Sequence, residues 1–309
     1  MITNEQDVGA DFLVRELTER GVPVVRLNTE RSPAWELTLR PTHGWRASRG
    51  QRVIESEQCV GVWWRRPEIP AGPAAAGAAT EAVADQWRAF LGGLATIPGP
   101  VWVSEPARIR TAEDKASQLR RASSVDLAVP DTLWTNDLNA ARAFVERWQD
   151  AAVVKSVATA WWEEAGDGRF VFASLITAGD LPALGRLASA PVCLQQPIAP
   201  KRDIRVTVIG ATVLGAIRDR SPVSDEPLDW RQGDERPWSA YDLPVAIADA
   251  CRDLVSGFGL RFSGIDLALD DNGQHWFLEL NPNGEWGWLE RAGLPIATAL
   301  ADTLLSRSS

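Results

Sequence analysis

Several chemically reactive side chains are scarce in this sequence. The 309 residues include two histidines, His43 and His275, and neither stands in a Ser-His-Asp or Cys-His pattern typical of covalent catalysis. The three cysteines, Cys59, Cys193 and Cys251, are odd in number and widely spaced, which matches neither a zinc site nor a disulfide framework. We therefore expect free thiols in a protein of the reducing cytoplasm, and no covalent nucleophile.

Long apolar runs and an excess of positive charge are also missing. No run of 18 apolar residues and no signal peptide are present, so we expect a soluble protein without a membrane partner. The net charge of −9 argues against a nucleic-acid partner, because such proteins need a basic face. The 45% hydrophobic and 24% charged residues are ordinary for a globular chain, and the length suits two or three α/β lobes.

Lysine is the scarcest of the common charged residues. Of 32 basic residues, three are lysines, namely Lys115, Lys155 and Lys201. A GC-rich genome can produce this bias without any functional meaning. A compact ammonium and a planar guanidinium nevertheless are not interchangeable at a phosphate site, so each lysine is worth examining.

The segment 262–284 reads as two strands joined by a tight turn at Asp271–Gly273. In such an antiparallel pair, Asp266 and Glu279 point to the same face, and Asn281 shares that face because it lies two residues after Glu279. Two carboxylates and an amide oxygen are hard ligands of the kind that Mg²⁺ takes beside substrate phosphates. The alternative interpretation is an ordinary amphipathic hairpin with a polar outer face.

The end of this hairpin resembles a known family. The run Leu278–Glu290, Leu-Glu-Leu-Asn-Pro-Asn-Gly-Glu-Trp-Gly-Trp-Leu-Glu, follows Asp266 at the spacing found at the magnesium end of ATP-grasp ligases. It is more narrowly similar to the ATP-grasp enzymes that mature ribosomal peptides, the graspetides including the microviridins. The resemblance implies an α/β protein with the ATP-grasp fold in three lobes. These are an N-terminal pre-ATP-grasp domain over 1–106, a central lobe over 107–190 and a C-terminal lobe over 191–309.

Other segments agree with this resemblance. The Trp-Trp-Arg-Arg-Pro stretch over 63–67, a strand ending in Lys155, the hinge-like segment 192–198 and the strand 203–210 each match a family segment. The resemblance implies ATP contacts by Lys115, Lys155, Gln195, Gln196, Ile198 and Asp203. It implies magnesium ligation by Asp266, Glu279 and Asn281. It further implies charge stabilisation by Arg205 and Arg218, and substrate contacts by Arg65, Arg66 and Arg231. The segment 158–168 departs from the wider family, because it has only two glycines where many members carry a multi-glycine loop.

The implied activity is an ATP- and Mg²⁺-dependent ligase that forms macrocycles in a precursor peptide. Asp or Glu side chains would be activated as acyl phosphates and joined to Thr or Ser as esters, or to Lys as amides, while the central lobe holds a leader peptide. Two alternatives stay open: a glutathione-synthetase-like ligase for free amino acids or a protein tail, and a non-catalytic ATP- or peptide-binding module. The oligomeric state is also open, with a homodimer as one candidate. A helix is further expected over Ala107–Ser123.

Overall fold

The computed structural model describes residues 1–70, 78–149, 151–158, 161–164, 167–170, 173–180, 190–219 and 236–306. Helices and strands are mixed along these ranges, which confirms the expected α/β class. The larger sheets are antiparallel, whereas two short strand pairs in the first part of the chain are parallel. Within these ranges no helix is both long and apolar enough to cross a membrane.

The first part of the chain forms a small α/β unit. Its elements are β1 (Ile2–Thr3), α1 (Val8–Glu19), β2 (Leu27–Asn28), β3 (Glu36–Arg40), β4 (Gly44–Arg49), β5 (Arg52–Glu55), β6 (Gly61–Trp63), α2 (Ala78–Leu94) and β7 (Val101–Val103). The Asp7 carboxylate accepts a hydrogen bond from the Ala10 N–H and begins α1. Gly21, with φ of 71°, follows the helix after its last turn, in the left-handed region that favours glycine.

The middle of the chain builds a four-stranded antiparallel sheet in the order β12-β9-β13-β8. Its elements are α3 (Pro106–Ala112), α4 (Lys115–Ser124), β8 (Thr132–Thr135), α5 (Leu138–Arg147), β9 (Ala151–Lys155), β10 (Trp161–Glu164), β11 (Asp167–Phe170), β12 (Ser174–Thr177) and β13 (Val192–Gln195). The single helix expected over Ala107–Ser123 is wrong. Two helices are present, because Asp114 accepts a hydrogen bond from the Ser117 N–H and begins a new helix.

The last part contains a five-stranded antiparallel sheet in the order β16-β15-β14-β17-β18. Its elements are β14 (Lys201–Ile209), β15 (Thr212–Arg218), β16 (Ser239–Ala240), α6 (Val245–Gly257), β17 (Phe262–Asp270), β18 (His275–Asn281), α7 (Gly287–Arg291) and α8 (Ile296–Leu305). The expected hairpin is β17–β18, and Gly273 takes a φ of 82° in its turn. Alternating apolar residues of β14 and β17 pack on α6, and this core holds the sheet rigid beneath the polar face described next.

The first and last parts of the chain share one hydrophobic core. Leu13 of α1 and Trp63 of β6 belong to the same buried cluster as Trp286, Ile296 and Leu300. The helix α8 therefore packs against α1 and β6. Near the other expected boundary, β13 pairs with β8 and β9 and so belongs to the middle sheet. The boundaries after residues 106 and 190 stay predictions.

Candidate functional site

Charged and polar side chains form a row across one face of the five-stranded sheet. Arg205 on β14 lies opposite Asp266 on β17, which lies opposite Glu279 on β18. Directly opposite residues in antiparallel strands share a face, and Asn281 shares it because it is two residues further along β18. The geometry expected from the sequence is therefore present: Asp266, Glu279 and Asn281 converge.

The contacts within this cluster test whether a magnesium ion fits. The Asn281 Nδ2 donates to Asp266 Oδ2 at 3.0 Å and to Glu279 Oε1 at 2.9 Å, so the amide N–H groups point between two carboxylates, where positive charge is favoured. Turning the amide over places its carbonyl oxygen there and gives three hard oxygen ligands. In the described part of the chain no group of three or more His, Cys, Asp or Glu side chains is placed to hold a metal, and in this cluster the third oxygen comes from the Asn281 amide.

Two buried arginines stand on the same sheet face. Arg205 is 6% exposed, and its Nη1 lies 2.9 Å from Asp266 Oδ1. Gly264 makes room for it, because a Cβ at that position would lie 3.1 Å from Arg205 Nη1. Arg218 on β15 lies opposite Asp203 and is also buried, but it is not among the described residues that line the cleft. Both arginines thus share a sheet face, and among the described contacts it is Arg205 that reaches the cluster.

Two of the three lysines approach the Asp266–Glu279–Asn281 cluster, one from α4 and one from β9. Lys115, the first residue of α4, has its Nζ 4.0 Å from Glu279 Oε2. Lys155, the last residue of β9, donates from Nζ to Gln195 Oε1 at 2.6 Å. Burial lowers the pKa of Lys155, and the nearby Glu279 carboxylate opposes that shift. Lysines from α4 and from the four-stranded sheet thus converge on the carboxylates of the five-stranded sheet.

The segment expected to bind adenine and ribose lies beside Lys155. Gln195 is buried, and its Nε2 donates to Thr132 Oγ1 at 3.0 Å while its Oε1 accepts from Lys155. Gln196 joins β13 to the chain before β8 through its backbone N–H and side-chain oxygen, both bonded to the Asp131 backbone. Ile198 is an apolar wall, and Asp203 forms an ion pair with Lys201.

These side chains line one cleft of about 1070 Å³ between the two larger sheets and α4. Its walls include Lys115, Lys155, Gln195, Gln196, Ile198, Asp203, Arg205, Asp266, Glu279, Asn281 and Arg66. This volume is just above the usual range for small-molecule and cofactor sites, roughly 300–1000 Å³. Most of the residues singled out in the sequence are therefore brought together in one place.

The turn after Asn281 is held by two consecutive arginines of the first α/β unit. Arg65 is fully buried rather than on the cleft wall, and its Nη1 donates to the Asn283 and Gly284 carbonyl oxygens. Its Nη2 lies 3.0 Å from Glu285 Oε2, and its Nε lies 3.5 Å from Asp7 Oδ2. Arg66 is half-exposed, lines the cleft and also pairs with Glu285.

The buried position of Arg65 changes its expected role. Burial lowers its pKa to about 10, although Asp7 and Glu285 oppose the shift, so the guanidinium remains charged at neutral pH. It supports the turn behind the cleft, and Arg66 is the arginine of this pair that faces the cleft. The substrate contact expected of Arg65 is therefore corrected to a supporting one.

Some site residues were not anticipated, and one expected residue lies outside the described ranges. The sequence offered no signal for Gln118, whose buried amide bonds the backbone of β18 beside Glu279 and Asn281. Glu285 could have been found, since it directly follows the Asn-Pro-Asn-Gly motif. Arg231, expected to contact substrate, falls in 220–235, outside the residues that the structure describes.

Comparison with known proteins gives matches among solved structures alone. No family model and no curated protein matches the chain. The macrocyclase MdnC bound with precursor peptide MdnA, from Microcystis aeruginosa MRC, is 26% identical, with 98% of each chain covered and a TM-score of 0.87. The macrocyclase MdnB from the same organism is 28% identical, with 98% of this chain and 97% of that chain covered and a TM-score of 0.79.

A third structure supports the same architecture. The Chryseobacterium gregarium RiPP-associated ATP-grasp ligase in complex with ADP, a leader and a core peptide has a TM-score of 0.87 at 23% identity, with 98% and 95% of the two chains covered. The chain therefore has the ATP-grasp fold over nearly its whole length. Its resemblance to ATP-grasp maturases of ribosomal peptides, predicted from the sequence, is confirmed.

Proposed function

We propose that this protein is an ATP-dependent ligase that crosslinks side chains of a ribosomally made precursor peptide into macrocycles. One observation carries the proposal: Asp266, Glu279 and Asn281 converge beside Arg205 and Lys115 in one cleft of a chain that matches the macrocyclases MdnC and MdnB end to end. MdnC is bound with its precursor peptide MdnA, which supports a peptide substrate here.

Different residues of the cleft would bind different parts of the nucleotide and the metal. Lys115 and Lys155 would hold ATP phosphates, while the segment from Gln195 through Ile198 and the Asp203 carboxylate would hold adenine and ribose. Asp266, Glu279 and Asn281 would hold Mg²⁺, which would neutralise part of the negative charge on the phosphates.

The proposed chemistry proceeds in two displacements. An Asp or Glu carboxylate oxygen of the peptide attacks the γ-phosphorus of ATP, the bond to the β-phosphate oxygen breaks, and ADP leaves. A Ser or Thr hydroxyl, or a Lys amine, then attacks the acyl carbon. Phosphate leaves with the electron pair of the broken C–O bond, and the nucleophile loses its proton to solvent. Arg205, on the cleft wall, would stabilise the negative charge that develops on the transferred phosphoryl group and on the tetrahedral intermediate, and Arg218 would add positive charge from the same sheet face outside the cleft lining.

The remaining parts of the proposal concern partners. The central lobe would hold the leader part of the precursor, while Arg66 and Arg231 would attract acidic side chains of its core. A homodimer is the proposed assembly, to be tested by light scattering with and without peptide. A reducing cytoplasm suits the three free cysteines, of which Cys193 and Cys251 are buried.

The test is the intact mass of a precursor peptide encoded beside this gene, after incubation with the protein, ATP and Mg²⁺. We expect a loss of one water per crosslink, with one ATP converted to ADP and phosphate each time. Methanolysis then opens esters and leaves amides. ATP hydrolysis driven by a free amino acid, without any change in peptide mass, would overturn the proposal in favour of a small-molecule ligase. ATP binding without turnover on either substrate would favour a binding module.

A further inference from the structure

The strand that carries Glu279 and Asn281 lies at the edge of its sheet. β18 is paired by β17 on one side, and no other strand of the described sheet follows it on the other. An edge strand leaves backbone N–H and C=O groups that need partners from elsewhere. Near its middle, the Phe277 N–H donates to the Ala128 carbonyl oxygen. At its end, beside the cleft, the partner is a side chain.

That side chain is Gln118 of α4, and it is 3% exposed. Its Oε1 accepts from the Leu280 N–H at 3.0 Å, and its Nε2 donates to the Leu280 carbonyl oxygen at 2.8 Å. The primary amide thus pairs with both backbone groups of one residue, as a neighbouring strand would. The second N–H of the amide donates to the Ala112 carbonyl oxygen at 2.7 Å, at the end of α3.

The pairing matters for the cleft because Leu280 lies between two of the proposed metal ligands. Leu280 stands between Glu279 and Asn281, and its own side chain is buried in the core under the sheet. Gln118 lies three residues after Lys115, so both side chains emerge from one face of α4. One amide therefore fixes the carboxylate and amide oxygens of β18 relative to the lysine helix across the cleft.

We propose that Gln118 is a positioning residue for the metal-binding end of β18, and that it couples Lys115 to the Mg²⁺ ligands Glu279 and Asn281. This inference rests on the proposed ATP and Mg²⁺ function. Groups that orient metal ligands typically change metal affinity or activity by about 10- to 100-fold when they are removed. The competing explanation is that Gln118 only stabilises the fold, as a satisfied buried amide does.

The two explanations predict different results for Gln118→Met, which keeps the length of the side chain and removes all three hydrogen bonds. The matched control is Leu119→Ala, which removes packing of the same helix against the core and keeps Gln118 and its hydrogen-bonding groups. Calorimetric titration of Mg²⁺ in the presence of ADP gives the half-saturating Mg²⁺ concentration, and urea unfolding gives the stability of each variant. We expect Gln118→Met to raise half-saturation by about 10- to 100-fold, while Leu119→Ala loses stability at unchanged half-saturation.

Unchanged half-saturation in Gln118→Met, or an equal rise in both variants, would overturn the positioning role and leave the proposed function standing. A wild-type protein that binds no Mg²⁺ with ADP would overturn the proposed function and this inference together. Should Gln118→Met fail to fold, Gln118→Asn keeps a polar amide but withdraws it from Leu280, and the same rise is expected. Half-saturation at the wild-type level in that variant would overturn the inference.

Discussion

The two sheets that face each other across the cleft are built differently. On the five-stranded side, β14 and β17 are nine residues long and pair along their whole length, and Arg205, Asp266 and Glu279 stand in register across three strands. On the four-stranded side the strands have four or five residues, and Lys155 donates a side-chain hydrogen bond to Gln195.

The two sheets hold their cleft side chains in place by different means. The long strands fix their side chains by cross-strand position, so the geometry of the proposed metal site follows in large part from the register, and Gln118 adds its bonds to Leu280. The short strands fix Lys155 mainly by burial, which works against its charge and lowers its pKa. On the proposed function, the five-stranded side would set the position of the metal and the transferred phosphoryl group, whereas the four-stranded side would supply the charge of Lys155 to the nucleotide.

The largest effect is expected at the rigid side. Glu279→Gln and Asn281→Ala should each lower peptide turnover by about 100- to 1000-fold, because loss of one preorganised polar group that stabilises transition-state charge typically costs two to three orders of magnitude. Turnover is measured as peptide mass loss at saturating ATP, and circular dichroism checks the fold. Asp270→Asn is the control, since Asp270 lies in the same hairpin and bonds Trp276 away from the cleft. Full activity of either cleft variant at ordinary Mg²⁺ would remove the metal assignment.

The next effect concerns stability of the turn that follows Asn281. Arg65→Met should lower the free energy of unfolding by about 3 kcal/mol, because it removes the ionic partner of the buried Asp7 and the donor to the Gly284 carbonyl oxygen, while Asn283 keeps its bond from Arg66. Arg66→Met is the matched control on the same turn, and it should cost below about 1 kcal/mol because its ion pair with Glu285 is half-exposed. Urea unfolding measures both. Equal losses would contradict the contrast between the buried and the exposed arginine.

Whether a feature could be predicted from the sequence depends on how far apart its residues lie along the chain. The hairpin with Asp266 and Glu279 was predictable, because alternation, turn residues and spacing are local properties of one segment. The support by Arg65 and Gln118 was not, since each bonds backbone groups that lie far away in sequence, and backbone partners leave no residue signature. The break before Lys115 was missed because a single Asp114 cap outweighs a continuous helical pattern.

A smaller effect is expected on the four-stranded side. Lys155→Met should weaken binding of ADP by about tenfold, since a hydrogen bond to a charged group contributes about 1.5 kcal/mol or more. The half-saturating Mg²⁺ concentration should change little, because Lys155 belongs to the opposite sheet. Calorimetry with ADP at fixed Mg²⁺ and with Mg²⁺ at fixed ADP measures the two quantities. A large rise in half-saturating Mg²⁺ would mean that the two sides of the cleft are not independent.

The smallest effect is a pH dependence that isolates the charge of Lys155. Because burial lowers its pKa below the ordinary value of 10.5, the ammonium group loses its proton at a lower pH than an exposed lysine would. Bound phosphates favour the protonated form, so affinity for ADP should fall as the pH rises through the lowered pKa of the free protein, by less than about tenfold per pH unit. Lys155→Arg keeps its charge throughout this range and should show a flatter profile. Parallel profiles for the two proteins would assign the pH dependence to another group.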